Sequence, residues 1–285
     1  MNESQRSRLV SRFFSRPVME DIARRGTAVH VARKLIDLGV LPTERRTVIS
    51  DIFDASLKEL GIAYRCEYVY KSAIASRIVF GKHSPRTSSM AIELGVADSI
   101  VDVALFNETS TAYEIKTEYD NHRRLCTQTP AYLRAFDRVY VVTHPDLAEH
   151  YASIVDKRIG IISLTKKGSL HEVRKAVNDV SRIEPPVIYR MLRRQEFIYA
   201  VHEYFGPQPK LPNGLVNKHY EQLFCKLTSE QAHAVLVRAM RARTTDSETV
   251  EFVSALPASL RALAYATPLS RPKRKRLLTA LSVTI

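Results

Sequence analysis

Asp102 interrupts an apolar run, Ile100-Val101-Asp102-Val103-Ala104-Leu105-Phe106, and Glu114-Ile115-Lys116 interrupts the next one. Both runs have the length and β-branched content of strands, and Asn107-Glu108-Thr109-Ser110 between them reads as a turn. Side chains alternate along a strand, so Glu114 and Lys116 share a face. A hairpin turn centred on Glu108 sets Asp102 opposite Glu114; one centred on Thr109 sets it opposite Lys116. In either register two carboxylates and an ammonium group become near neighbours. Adjacent carboxylates repel each other unless a cation relieves them. Magnesium, which takes few protein oxygens and keeps sites for water and phosphate, suits them, with manganese as a substitute. A lysine beside such a metal orients a water, and the set has the makings of phosphodiester hydrolysis. The plainer alternative is an ion pair on the solvated face of a hairpin.

The elements that must position these residues follow from periodicity. Residues 1–62 read as helical: one helix over Asp21–Leu38, stopped by Gly39, and one over Thr47–Leu60, stopped by Gly61. Tyr64–Phe80 reads as a third helix. Short strands follow at Met90–Val96, Ile100–Phe106, Ala112–Thr117, Arg138–Thr143 and Gly160–Leu164, with a helix over Asn121–Phe136 between the third and fourth. Ser169–Val180 reads as a further helix, and Glu184-Pro185-Pro186 as a linker. Val187–Tyr204, Leu215–Lys226, Ser229–Arg243 and Glu248–Tyr265 are helical by pattern, with a capping box at Thr228 to Gln231. Three segments result: 1–62, helical; 63–183, an α/β core with a mixed sheet; 187–285, a basic all-α domain.

The central segment resembles the PD-(D/E)XK nuclease superfamily, in which an Asp on one strand meets a Glu-x-Lys on the next. Val101 stands where the motif's name has proline. Gln128-Thr129-Pro130-Ala131-Tyr132 is similar to the Gln-x-x-x-Tyr motif of the RecB-like and lambda-exonuclease-like branch. Glu67-Tyr68-Val69-Tyr70-Lys71, Tyr113 to Asp120, Arg124-Leu125 and Phe136 to Val142 resemble strings of a small bacterial and phage family of that superfamily. The resemblance implies a restriction-endonuclease-like α/β fold with a mixed-sheet core, N-terminal helices and a C-terminal all-α domain. It implies Asp102 and Glu114 as metal ligands, Lys116 as the group that positions water, and Gln128 and Tyr132 as their support. Glu67 is the matching third metal ligand, with Glu93 as its rival and a salt bridge to Lys71 as its plainer role. Gln128 and Tyr132 share a helix face at i, i+4. If the helix instead begins at Pro130 with Thr129 as its cap, Gln128 leaves that face. Glu118 and Asp120 are expected to open this helix.

Of the 285 residues, 43 are Lys or Arg and 30 Asp or Glu, a formal charge of +13. Residues 1–46 carry 10 basic against 5 acidic side chains, residues 47–181 carry 17 against 17, and residues 182–285 carry 16 against 8. Basic flanks around a neutral centre suit a polyanion. DNA is the expected partner, ahead of RNA, through Arg123 and Arg124 beside the site, Lys71, and the run Lys273-Arg274-Lys275-Arg276. Tyr199, Tyr204 and Phe205 are expected in the helix core. His122 and Cys126 form an isolated i, i+4 pair, too little for zinc. Three scattered cysteines, no apolar stretch of membrane-spanning length and no leader-like start suggest a cytoplasmic protein that does not enter membranes. With no phosphate-binding glycine loop, an ATP-driven motor is not expected. The expected activity is a magnesium-dependent deoxyribonuclease, of a kind found in bacterial or phage defence and mobile elements. The alternatives are a catalytically silent nucleic-acid-binding protein on the same fold and an effector nuclease that a partner protein activates.

Overall fold

The computed structural model describes residues 2–40, 46–121 and 125–285. Helix α1 (Glu3–Ser11) starts from a capping box in which Asn2 and Gln5 exchange side-chain to backbone hydrogen bonds. The helix expected over Asp21–Leu38 is two, α2 (Arg16–Arg25) and α3 (Val29–Asp37). Gly26 separates them at φ 72°, donating its N–H back to the Ile22 carbonyl, a conformation glycine takes without strain. Helix α4 (Ile49–Ala63) runs through Gly61. Helix α5 (Glu67–Ile74) passes directly into a π-helical segment, Ala75–Lys82.

Six strands form one mixed sheet in the order β1 (Ser89–Val96), β2 (Ser99–Phe106), β3 (Ser110–Lys116), β4 (Arg138–Thr143), β5 (Gly160–Leu164) and β6 (Leu170–Arg174). The first two pairings and the last are antiparallel, and β3, β4 and β5 run parallel. The two parallel connections each carry a helix, α6 (Leu125–Leu133) and α7 (Ala148–Ile154). Where a helix is expected over Ser169–Val180, the chain turns at Gly168 (φ 73°) and returns as edge strand β6. The apolar spacing of Leu170, Val173 and Val177 fits a helix, but β5 supplies a hydrogen-bonding partner that overrides it.

Both faces of the sheet are covered. Val103, Leu105, Tyr113, Ile115 and Val142 pack under α2 to α5 and, from the other end of the chain, α12 (Ser247–Ala255), α13 (Ala258–Ala266) and α14 (Arg271–Leu281). Ala104, Phe106, Ala112, Val139 and Val141 pack under α6, α7, α8 (Pro185–Met191), α9 (Arg194–Phe205), α10 (Asn213–Phe224) and α11 (Ser229–Ala242). The Pro185-Pro186 pair, expected as linker, forms the first turn of α8, where a missing N–H costs nothing. Pro257 divides the helix expected over Glu248–Tyr265 into α12 and α13, and Arg193 lies between α8 and α9. The chain closes on itself where Thr47 and Ile285 exchange backbone hydrogen bonds beside a Val48–Thr284 bridge. Among the described residues no helix is long and apolar enough to cross a membrane.

Candidate active site

Strands β1 and β2 change face halfway along. Met90 and Ile92 belong to one core and Leu94 and Val96 to the other; across the hairpin, Val103 and Val101 divide the same way. The switch falls at Glu93, which has a left-handed φ of 53°, and at Asp102 facing it. A left-handed residue inside a strand shifts the side-chain phase by one, as a bulge does. The β2–β3 loop is centred on Glu108, since Phe106 pairs with Ser110, which sets Asp102 level with Glu114. The paired ladder stops at Val103 and Tyr113, and Asp102 Oδ2 accepts the Ile115 N–H at 2.7 Å in place of the next rung. The carboxylate thus wedges the end of the hairpin open.

Glu114, 1% exposed, lies beneath this opening with Lys116, whose Nζ donates to Glu114 Oε1 at 2.6 Å. The Tyr132 hydroxyl lies 2.9 Å from Glu114 Oε2 and 2.6 Å from the Ile100 carbonyl. Gln128 Oε1 is 3.4 Å from Lys116 Nζ. Helix α6 is already under way at Leu125, so Pro130 lies inside it and Thr129 does not cap it; the Thr129 hydroxyl donates to the Leu125 carbonyl at 2.7 Å. Gln128 therefore stays on the face it shares with Tyr132. The Lys116 carbonyl, in turn, accepts the Thr143 hydroxyl at 2.7 Å, fixing the end of β3 to β4. Glu118 and Asp120 lie in the turn before α6, where Asp120 accepts from the Thr117 amide and hydroxyl.

Burial pushes the Asp102 carboxyl up to about 7, and the charge of Glu114 adds to it. With Asp102 ionised, two carboxylates against one ammonium would leave the pocket an anion in excess, and a cation there would relieve it. Hard oxygens in that number suit magnesium, which is held by one or two carboxylates and completes its shell with water. Asp102 and Glu114 fit such an ion by donor chemistry. The expected third ligand, Glu67, is turned to Lys71 at 2.5 Å, the salt bridge that its i, i+4 spacing also allows. Lys71 is buried, and Glu93 holds it from the other side at 3.1 Å, so its ammonium is committed to carboxylates rather than open to phosphate. Arg16, which the sequence did not single out, pairs with Glu93 at 2.7 Å. These four residues line a cleft of about 470 Å³ between α2, α5, β1 and α13. Glu67 still raises the Asp102 carboxyl's pKa through space. Among the described residues, no three His, Cys, Asp or Glu side chains converge as a metal-binding group.

The remaining sequence candidates scatter. Arg123, Arg124 and His122 lie outside the described residues. The basic run lies on α14, on the side of the molecule with α2. There Arg274 is held by the Leu269 carbonyl, the Thr249 hydroxyl and the Phe252 ring, and Arg276 packs over Gly26. Lys275 is exposed and Lys273 half-buried. Tyr199, Tyr204 and Phe205, expected in the core, are exposed, and the Arg238 guanidinium covers the Tyr199 ring at 5.4 Å.

Among solved structures, a protein of unknown function from Silicibacter pomeroyi, SPO1766, is 15% identical over 48% of this chain and 72% of its own, with a TM-score of 0.27. No curated protein matches. The family described as bacteriophage P4 protein cII matches residues 62–263, which takes in α5, the whole sheet and the helices through α13 up to Leu263. The match covers well over half of the sequence, and the chain belongs to the bacteriophage P4 cII protein family.

Proposed function

We propose that this protein is a magnesium-dependent nuclease with a PD-(D/E)XK-like core, and that DNA is its substrate. The observation that carries the reading is the convergence of Asp102, Glu114 and Lys116 at the splayed end of β2 and β3. Asp102 and Glu114 would hold the metal. Bound there, magnesium supplies a Lewis acid for a phosphoryl oxygen and a lowered pKa for water. Lys116 orients the attacking water, whose oxygen bonds to phosphorus as the ester bond to the departing sugar oxygen breaks. Gln128 and Tyr132 hold Lys116 and Glu114 in place from α6.

A second reading rests on a different observation. Both Glu114 oxygens already have partners, Lys116 and Tyr132, as in a polar network that only orders a core. The protein would then bind nucleic acid without cutting it, or cut only when a partner rearranges the network.

Incubating the protein with linear and circular, single- and double-stranded DNA and with RNA separates these readings. Each substrate is run with magnesium, manganese or EDTA. Metal-dependent cleavage is expected, and Asp102→Ala, Glu114→Ala and Lys116→Ala should each reduce it by roughly a hundredfold or more while the fold persists. Full activity in any one of them removes that residue's role. Salt-sensitive binding with no cleavage under any metal favours the second reading.

A further inference from the structure

A groove on the sheet face opposite α6 carries positive charge that the proposed chemistry does not use. Its larger part, about 540 Å³, lies between α4, α5, the β5–β6 turn and the start of α13. Lys58, Arg65, Arg77, Lys166 and Lys167 line it against a single carboxylate, Asp54, which already accepts the Ser259 amide at 2.9 Å. Among the described residues none of these five cations is in an ion pair. Two are fixed by backbone: Arg65 Nη1 donates to the Leu164 carbonyl at 3.0 Å and Arg77 Nε to the Gly168 carbonyl at 3.2 Å. Their remaining N–H groups are presented in set positions rather than on free-swinging stems. The buried Ser259 hydroxyl also lines the groove and has no hydrogen-bond partner among the described residues.

Arg77 lines a second cleft too, of about 330 Å³, where Lys82 adds a further cation. The row therefore runs from Lys58 on α4, past the turn, to the end of the π-helical segment. One phosphate would engage two or three of these groups; a chain of phosphates would engage them all. At its Arg65 end the groove meets the carboxyl ends of the parallel strands. There Lys116 is level with Thr143, and Thr143 with Ser163, so the groove ends two strand spacings, about 10 Å across the strand ends, from the end of β3, whose Lys116 side chain lies on the α6 face.

We propose that this groove, rather than the α14 run, binds the phosphodiester backbone of nucleic acid. The delivery of that strand to Asp102 and Glu114 rests on the nuclease reading; the binding does not. The test is fluorescence anisotropy in EDTA, with a labelled oligonucleotide offered single-stranded and as duplex, across about 50–200 mM salt. Lys166→Glu with Lys167→Glu, on an exposed turn, should weaken binding about tenfold or more and flatten the log–log salt slope by about 1.4–1.8, the share of two phosphate contacts. Lys58→Glu, on another element, should act in the same direction, and loss on either strand form supports the groove. Lys273→Glu with Lys275→Glu should leave affinity within about twofold. Unchanged affinity in the groove variants, an equal loss in the α14 variant, or no binding by the wild type would overturn the proposal.

Discussion

Tyr132 has a single proton and two acceptors within reach, the Ile100 carbonyl and Glu114 Oε2. It is fully buried, and burial followed by the charge of Glu114 pushes its phenol far above the ordinary tyrosine value, so the proton stays on. Tyr132→Phe leaves a buried carboxylate oxygen without that donor. The expected cost is about 2 kcal/mol, read as a fall in Tm of about 3–4 °C for a chain of this length. If Glu114 works as proposed, kcat falls with little change in KM, because the hydroxyl aligns a group and does not hold substrate. Wild-type stability in this variant would show that Glu114 needs no such partner. The acids were readable from sequence because a charge inside an apolar strand is conspicuous. The left-handed turn of the backbone at Glu93 was not, since glutamate has no preference for it and only packing on both faces imposes it.

Strand β5 opens on Gly160, where an added Cβ would lie 2.3 Å from the Tyr140 ring and 2.7 Å from the Ala176 amide. Tyr140 cannot retreat, because its ring stacks on Tyr113 at 5.8 Å and its hydroxyl donates to Glu172. Gly160→Ala is expected to destabilise the fold by about 3 kcal/mol through overpacking, measured by denaturant unfolding. Combined with Tyr140→Ala it should cost less than the two separate effects summed, since the second change removes the tighter of the two clashes. Additive losses would place the damage elsewhere. At this scale five of the six strands were legible to within two residues, because β-branched runs between turns have few other uses. The long helices were over-read: Gly26, Arg193 and Pro257 each divide a segment whose apolar periodicity continues across the break. Strand β6 reads as a helix because an edge strand takes its identity from its neighbour, and α7 leaves no reading at all because a two-turn helix has too short a periodic trace.

Charge is sorted by the fold and not by position in the chain. Residues 47–181 are neutral in sum, yet every cation of the proposed groove comes from them, and of their acids only Asp54 and Glu172 line it, each already accepting a hydrogen bond. A tally along the sequence pointed instead to the flanks. The assembly also draws on a histidine that belongs to neither site. His233 on α11 is buried against the Ser110 hydroxyl of β3 at 2.9 Å, and the same oxygen accepts the Asp137 amide at the start of β4. Burial lowers the His233 pKa, so the folded state holds it neutral where the unfolded chain would bind a proton. Its contribution is complete above the ordinary value of about 6.5 and declines as pH falls through the lowered folded value. His233→Gln keeps an acceptor for the serine and removes the titration. Between pH 7 and 5 the variant should lose less stability than the wild type in matched urea melts; parallel losses would assign the acid sensitivity to other groups.

The bridge between Val48 and Thr284 joins positions 236 residues apart, and α12 to α14 fill the same core as α2 to α5. A ribosome adding about 5–20 residues per second needs roughly 12–50 s to supply the second half of that core after the first has emerged. For that interval the inner faces of the early helices have only one another and the growing sheet to lie against. This protein is thus assembled as a clasp, with α2 to α5 held in waiting for α12 to α14, and the time that core stays open follows the rate of translation.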